Sequence, residues 1–350
     1  MNSIADNSEI PFHKLVDALL DVETHFHPRY LYRLSDLEPD ELDMLEEIWQ
    51  RVPLWRRQEL MKDLEHLGSL NDLLSFEAVG RHAIRDEDPQ VRNFAVGVLR
   101  EFETRDLVPL FLNLMESDSD VDVRASAASA LGRFVYLCEI DKLSDETRVE
   151  IENRLLRLIQ SNEVSKVRRR ALESLGYSGH PEVPGLISTA FSSGKKAWMA
   201  SALLAMGRSV DERWEEQVTQ MLDNKFPSLR VEAARASGEL ELKDAAPRLL
   251  ELLDDSDEGV RRASMWSLSQ IGGEGVREAL EELLVEAEEE EEIRLLETAL
   301  DNLSFTEGTQ SFSLFDFPVD EVEDELLDIL EYDEDYPGFD IEADNEELQD

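Results

Sequence analysis

The chain has 350 residues, of which 80 are acidic and 35 basic, for a formal net charge of -45. A polyanion of this strength repels nucleic-acid phosphates and anionic membrane surfaces, so neither is expected as a general partner. The single cysteine, Cys138, excludes a disulfide framework and any cysteine-based zinc site.

From the N-terminus, residues 1–21 contain Asp6, Glu9 and Asp17 with no basic stretch and no long apolar run, unlike a secretory signal. Nowhere do 18 apolar residues occur in succession, so no membrane span is expected and the cytoplasm is the expected location. Two helices are predicted, from Phe12 to Val22 and from Asp40 to Trp49. Pro39-Asp40-Glu41 opens the second with acids at its positive end, and Leu42, Leu45, Ile48 and Trp49 form its inner face. An aromatic link, Phe26 to Tyr32, is expected to pack over the first repeat unit. Residues 1–51 read as a helical N-terminal cap.

From residue 52 a pattern recurs: an apolar residue, Arg, two variable positions, a small residue, three more positions, then a helix end. It reads Val91-Arg92 with Ala95 and Leu99, and Val123-Arg124 with Ala127, Leu131 and Gly132. It returns as Val167-Arg168 with Ala171, Leu175 and Gly176, as Leu229-Arg230 with Ala233 and Gly238, and as Val260-Arg261 with Ser264, Leu268 and Gly272. The Arg anchors are spaced by 32, 44, 62 and 31 residues. The long gap holds a degenerate copy from Lys196 to Met206, with Ala200 and Leu204 in phase and Gly207 at its end. The gap of 44 holds an insertion between Tyr136 and Arg148. Weaker copies sit at Arg57 and at Ile293-Arg294, which makes about eight units over residues 52–305.

Six residues before each clear Arg stands Asp86, Asp118, Asn162, Asn224 or Asp255, side chains suited to helix N-caps. Upstream of these lie apolar stretches at helical spacing, such as Leu107, Leu110, Phe111 and Leu114. Each unit is therefore a helix, a short polar turn, and a second helix that usually ends at Gly. Such a unit cannot bury its apolar face alone, so the units stack into an all-α superhelix. The small residues Ala95, Ala127, Ala171 and Ala233 let second helices approach. Arg92, Arg124, Arg168, Arg230 and Arg261 are expected to bond the turn Asp or Asn of a neighbouring unit, which makes a structural ladder.

The unit resembles the HEAT repeat, in the short bacterial form often labelled PBS lyase HEAT-like. Pro247, Asp255 and Arg261 fit its Pro, turn Asp and second-helix Arg, and Pro109, Asp118 and Arg124 fit with one extra residue. The resemblance implies a HEAT solenoid of about eight helix pairs whose concave face, lined by second helices, binds proteins.

Residues 306–350 carry 18 acids and no base, which predicts a largely disordered tail. Within it Val319, Val322, Leu326, Ile329 and Leu330 lie on one face of an amphipathic helix over 319–331. Phe312, Leu314, Phe315 and Phe317 precede it, and Tyr332, Tyr336 and Phe339 come after it.

No catalytic constellation is visible. HEAT-like hydroxylases of deoxyhypusine hold iron with His-Glu pairs, whereas His13, His25, His27, His66, His82 and His180 are never followed by Glu here. No phosphate loop, nucleophile elbow or dinucleotide fingerprint occurs. Neither a cofactor nor a metal is expected, and a monomer is. One basic stripe interrupts the acidic surface. With Arg168 and Arg261 in the ladder, Arg169, Arg170, Lys195, Lys196 and Arg262 are free to line the groove, and Trp198 and Trp266 supply apolar anchors. The reading is a non-catalytic adaptor for unidentified proteins, with the acidic tail folding back on the stripe to compete with them. Two alternatives stay open: a phycobilin lyase-like or other HEAT-like enzyme, and a binder that holds a basic protein through the tail.

Overall fold

The computed structural model describes residues 10–311, with side chains as far as Thr306. Residues 312–350, and with them the helix expected over 319–331, lie outside the described residues. Two helices come first, α1 (Phe12–Leu20) and the single turn α2 (Arg29–Tyr32). They are followed by α3 (Pro39–Trp49), α4 (Leu54–Leu70), α5 (Glu77–Ala83), α6 (Pro89–Leu99), α7 (Leu107–Ser117) and α8 (Val121–Glu139). The middle of the chain forms α9 (Asp145–Gln160), α10 (Ser165–Leu175), α11 (Val183–Ser192), α12 (Lys196–Arg208), α13 (Glu215–Met221) and α14 (Pro227–Glu239). The last four are α15 (Ala246–Glu251), α16 (Glu258–Ile271), α17 (Val276–Glu286) and α18 (Glu290–Ser311). No strand occurs among the described residues.

From α5 onward the helices pair in order, odd with even, and two layers result. The even helices from α4 to α18 each pack on the next, and α3 lies beside α5 in the first layer. The packing follows from the repeat. Val91, Val123, Val167, Leu229 and Val260, one residue before each Arg, are buried, as are the small residues three after it, Ala95, Ala127, Ala171, Ala233 and Ser264. Apolar burial at about 25 cal/mol per Å² then accumulates along one continuous core. The insertion after Tyr136 is absorbed by lengthening α8 to 19 residues and α9 to 16.

Three details differ from the sequence expectation. The second helices are capped four residues before the Arg, not six: Asp88, Asp120 and Asp257 accept the first helical N–H groups. Asp86, Asp118 and Asp255 sit one step further out and accept the backbone N–H of those caps, each at 2.9 Å. Next, Gly132, Gly207 and Gly238 do not end their helices but lie inside them. They are points of close approach: a Cβ on Gly207 would stand 2.9 Å from Ala236 Cα, and one on Gly238 3.0 Å from Ser267 Cα. Of the glycines in the repeat pattern, Gly272, at φ 68°, is the one that stops its helix in the left-handed region. Lastly, α12 is two residues out of the expected phase. Ala202 and Met206, not Ala200 and Leu204, take the buried places of the repeat's small residue and Leu.

Candidate functional site

The edge where first helices turn into second helices carries a series of ion pairs between units. Arg57 donates to Asp86 at 2.6 Å, and the Trp49 indole N–H reaches the same oxygen at 2.6 Å. Arg92 forks onto Asp118 with two bonds of 2.8 Å, and Arg230 onto Asp255 with two of 2.7 Å. Each of these two arginines also donates its remaining terminal nitrogen back to its own turn, Arg92 to the Asp86 carbonyl at 2.9 Å and Arg230 to the Asn224 carbonyl at 2.8 Å. Planar bidentate pairing of this kind suits guanidinium and carboxylate. Burial pushes the Asp118 carboxyl up, but Arg92 and the Asp120 amide outweigh it and hold it below the usual carboxylate range. The Arg230 bond lowers Asp255 likewise.

Asn162 does not receive Arg124. That guanidinium forks onto the adjacent Glu163, at 3.1 Å to each oxygen, and lowers its pKa. Arg261 donates to the Asp255 carbonyl of its own turn at 2.8 Å. Arg168 makes no carboxylate rung. The following turn is Ser192-Ser193-Gly194-Lys195, which offers no acid. Its Nε donates to the Ile159 carbonyl at 2.7 Å, and its guanidinium carbon lies 5.5 Å from the centre of the Trp198 ring. The next rung is replaced in the same way. Asn224 accepts the Phe226 N–H at 3.0 Å, while the Lys196 and Lys225 ammonium groups stand 5.3 and 5.0 Å from the Phe226 ring. Where acids are missing, aromatic faces take the cations.

The predicted basic stripe therefore splits between two places. Lys195, Lys196 and Trp198 belong to the turn edge. Arg170, Arg262 and Trp266 belong to the exposed side of the second layer. Arg169 does not line the groove freely: it is part-buried, it donates to Ser201 on the next helix at 3.2 Å, and burial lowers its pKa. The second-layer side carries a groove of about 400 Å³ across α4, α6, α8 and α10, lined by Glu65, Asn93, Arg100, Ser126, Lys166 and Arg170. A second hollow of about 510 Å³ between α14 and α16 is lined by Arg235, Glu258, Arg262 and Trp266, with Trp266 40% exposed. Arg262 there is tied to Glu258 at 3.2 Å and Glu291 at 2.9 Å.

Between these hollows lies a charge cluster that the sequence reading missed. Glu173 is buried and binds Arg170 at 2.5 Å, while Ser201 donates to it at 2.6 Å. Glu232 pairs with Arg235 at 3.3 Å through one oxygen, while its Oε2 and that of Glu239 are buried without a partner. Burial raises the pKa of both, against the pull of Arg235 and Arg208. Glu65, lying across Gly97, is raised by burial too. Glu65 stands on α4, Glu173 on α10, and Glu232 and Glu239 on α14, a spacing too irregular to have been read from the repeat. Among the described residues no group of three or more His, Cys, Asp or Glu could hold a metal ion, and no helix is long and apolar enough to cross a membrane.

Comparison with known proteins matches the chain to HEAT repeats at residues 77–146 and 215–301. No curated protein sequence matches it. Among solved structures it is similar to YibA of E. coli, at 16% identity and TM-score 0.40, over 80% of this chain and 98% of that one. It is similar to human deoxyhypusine hydroxylase at 16% identity and TM-score 0.33, over 74% and 95%. It is also similar to importin beta, at 14% identity and TM-score 0.41, over 83% of this chain and 46% of the other.

Proposed function

We propose, from the HEAT repeats matched at residues 77–146 and 215–301, that the chain is a non-catalytic adaptor that docks a protein partner on the exposed side of its second helices. The observation that carries this reading is the groove across four successive second helices, where Arg100, Lys166 and Arg170 stand together on an otherwise strongly acidic chain. A surface of this kind steers acidic or mixed-charge protein segments and repels basic ones. Trp266, exposed beside Arg262 in the second hollow, adds an apolar anchor of the type that dominates interface energetics. The charge cluster at Glu173, Glu232 and Glu239 lies between the two, so a partner spanning both hollows desolvates it further or supplies its missing donors.

The test is a paired affinity capture with the full chain as bait. Lys166→Glu with Arg170→Glu reverses the groove, and Arg148→Glu on the first-layer helix α9 serves as control. Proteins held by the wild type and by the control are expected to be lost from the groove variant. Equal retention by all three baits contradicts the reading.

A further inference from the structure

The turn edge has one recurring chemistry, in which a guanidinium takes a carboxylate from the next unit. At Arg57, Arg92, Arg124 and Arg230 the chain supplies that carboxylate from its own turns. At Arg168 it does not, and a cavity of about 320 Å³ opens there. Leu172, Leu186, Ala190 and Trp198 give it apolar walls, and Lys195 stands at its rim. Lys196, Lys225 and the 40% exposed Phe226 continue the edge beyond it. Among the described residues no carboxylate oxygen lies within 4.0 Å of Arg168, Lys195, Lys196 or Lys225. Two cations at an apolar hollow, Arg168 and Lys195, with Lys196 and Lys225 further along the same edge, select a segment in which a bulky apolar side chain sits beside carboxylates.

We infer that the occupant is the chain's own segment 332–340, Tyr-Asp-Glu-Asp-Tyr-Pro-Gly-Phe-Asp, with one aromatic ring in the cavity and a neighbouring carboxylate completing the rung at Arg168. Reach decides between the two aromatic clusters beyond α18. The end of α18 lies one helix length, about 33 Å, and four helix spacings, about 40 Å, from Arg168, roughly 50 Å on the diagonal. Phe315 and Phe317 are too near Ser311 to cross that gap, since an extended chain spans about 3.3–3.6 Å per residue. Residues 332–340 reach it with length to spare. Being intramolecular, the contact forms at an effective concentration near ~1 mM and needs only modest affinity. The site lies on the turn edge and not in the second-layer groove, so it stands or falls independently of the adaptor reading.

The test is zero-length carbodiimide coupling of the full chain at low ionic strength, with peptide mapping of the monomer. The Lys166–Asp122 pair, at 2.5 Å, is the internal reference. Lys195 or Lys196 is expected to join a carboxylate within 333–340, and the yield is expected to fall about tenfold in Arg168→Glu and in the triple variant Tyr332→Ala, Tyr336→Ala, Phe339→Ala. The triple variant changes no residue of the helical array, and the Lys166–Asp122 product reports the fold in both. Three results overturn the proposal: no such product beside the reference, the product only in a covalent dimer, or equal yield in the variants.

Discussion

Asp86 binds two elements at once. Its carboxylate, fully buried, takes the Arg57 guanidinium and the Trp49 indole, while its other oxygen accepts the Asp88 amide. Asp86→Ala strands a buried cation and is expected to cost about 3–5 kcal/mol, read as a lower urea midpoint. Titration separates two kinds of acid. Asp118, Glu163 and Asp255 have lowered pKa values, so they add stability above the ordinary carboxylate range and lose it as pH falls through their lowered values. Glu232 and Glu239 have raised values. Their contribution is present below the ordinary range and lost as pH rises through the raised value, which leaves a penalty at neutral pH. Asp118→Asn should therefore destabilise at pH 7, with the difference fading in acid. Glu232→Gln with Glu239→Gln should stabilise at pH 7, and that gain should also fade in acid. Thermal melts between pH 3 and 8 check both signs.

At the scale of the helix, spacing is set by small residues that face each other across units. Gly132, Gly176, Gly207 and Gly238 lie against Ser174, Ala205, Ala236 and Ser267, and Ser174 and Ser267 also donate to carbonyls of the preceding second helix at 2.7 Å. Gly176→Ala is expected to cost about 1–3 kcal/mol by forcing α10 from α12. Gly185→Ala, on a helix with open space around it, should gain about 0.4–1 kcal/mol. Denaturant titration of the two variants gives opposite shifts. The buried Val and Ala positions were legible in the sequence because helical burial repeats with residue type. The role of the glycines was not, since a Gly near a helix end has the same sequence signature whether it stops the helix or lets a neighbour approach. Glu163 was missed because the turn before α10 offers the carboxylate one residue later than the others do. The stripe of cations read as one surface because the phase of α12 is invisible without its packing: Trp198 occupies the place of the buried Val, and Lys195 and Lys196 fall at the turn edge.

Across the whole molecule, contacts are local, so stability is a sum over units and their interfaces and is not shared evenly. Units from α4 to α10 are joined by three carboxylate rungs, and α14 to α16 by another. Between them α12 has no carboxylate rung at the turn edge and is held by packing, cation–aromatic contacts and the Ser201 hydrogen bonds with Arg169 and Glu173. The molecule is thus organised by its rungs and weakest where they are missing. Hydrogen exchange of the full chain across a urea series, resolved by peptide, measures this directly. The amides of α11 to α13 should lose protection first, while α6, α8 and α16 keep theirs to higher urea. Loss of protection at one common urea concentration along the whole array would contradict it.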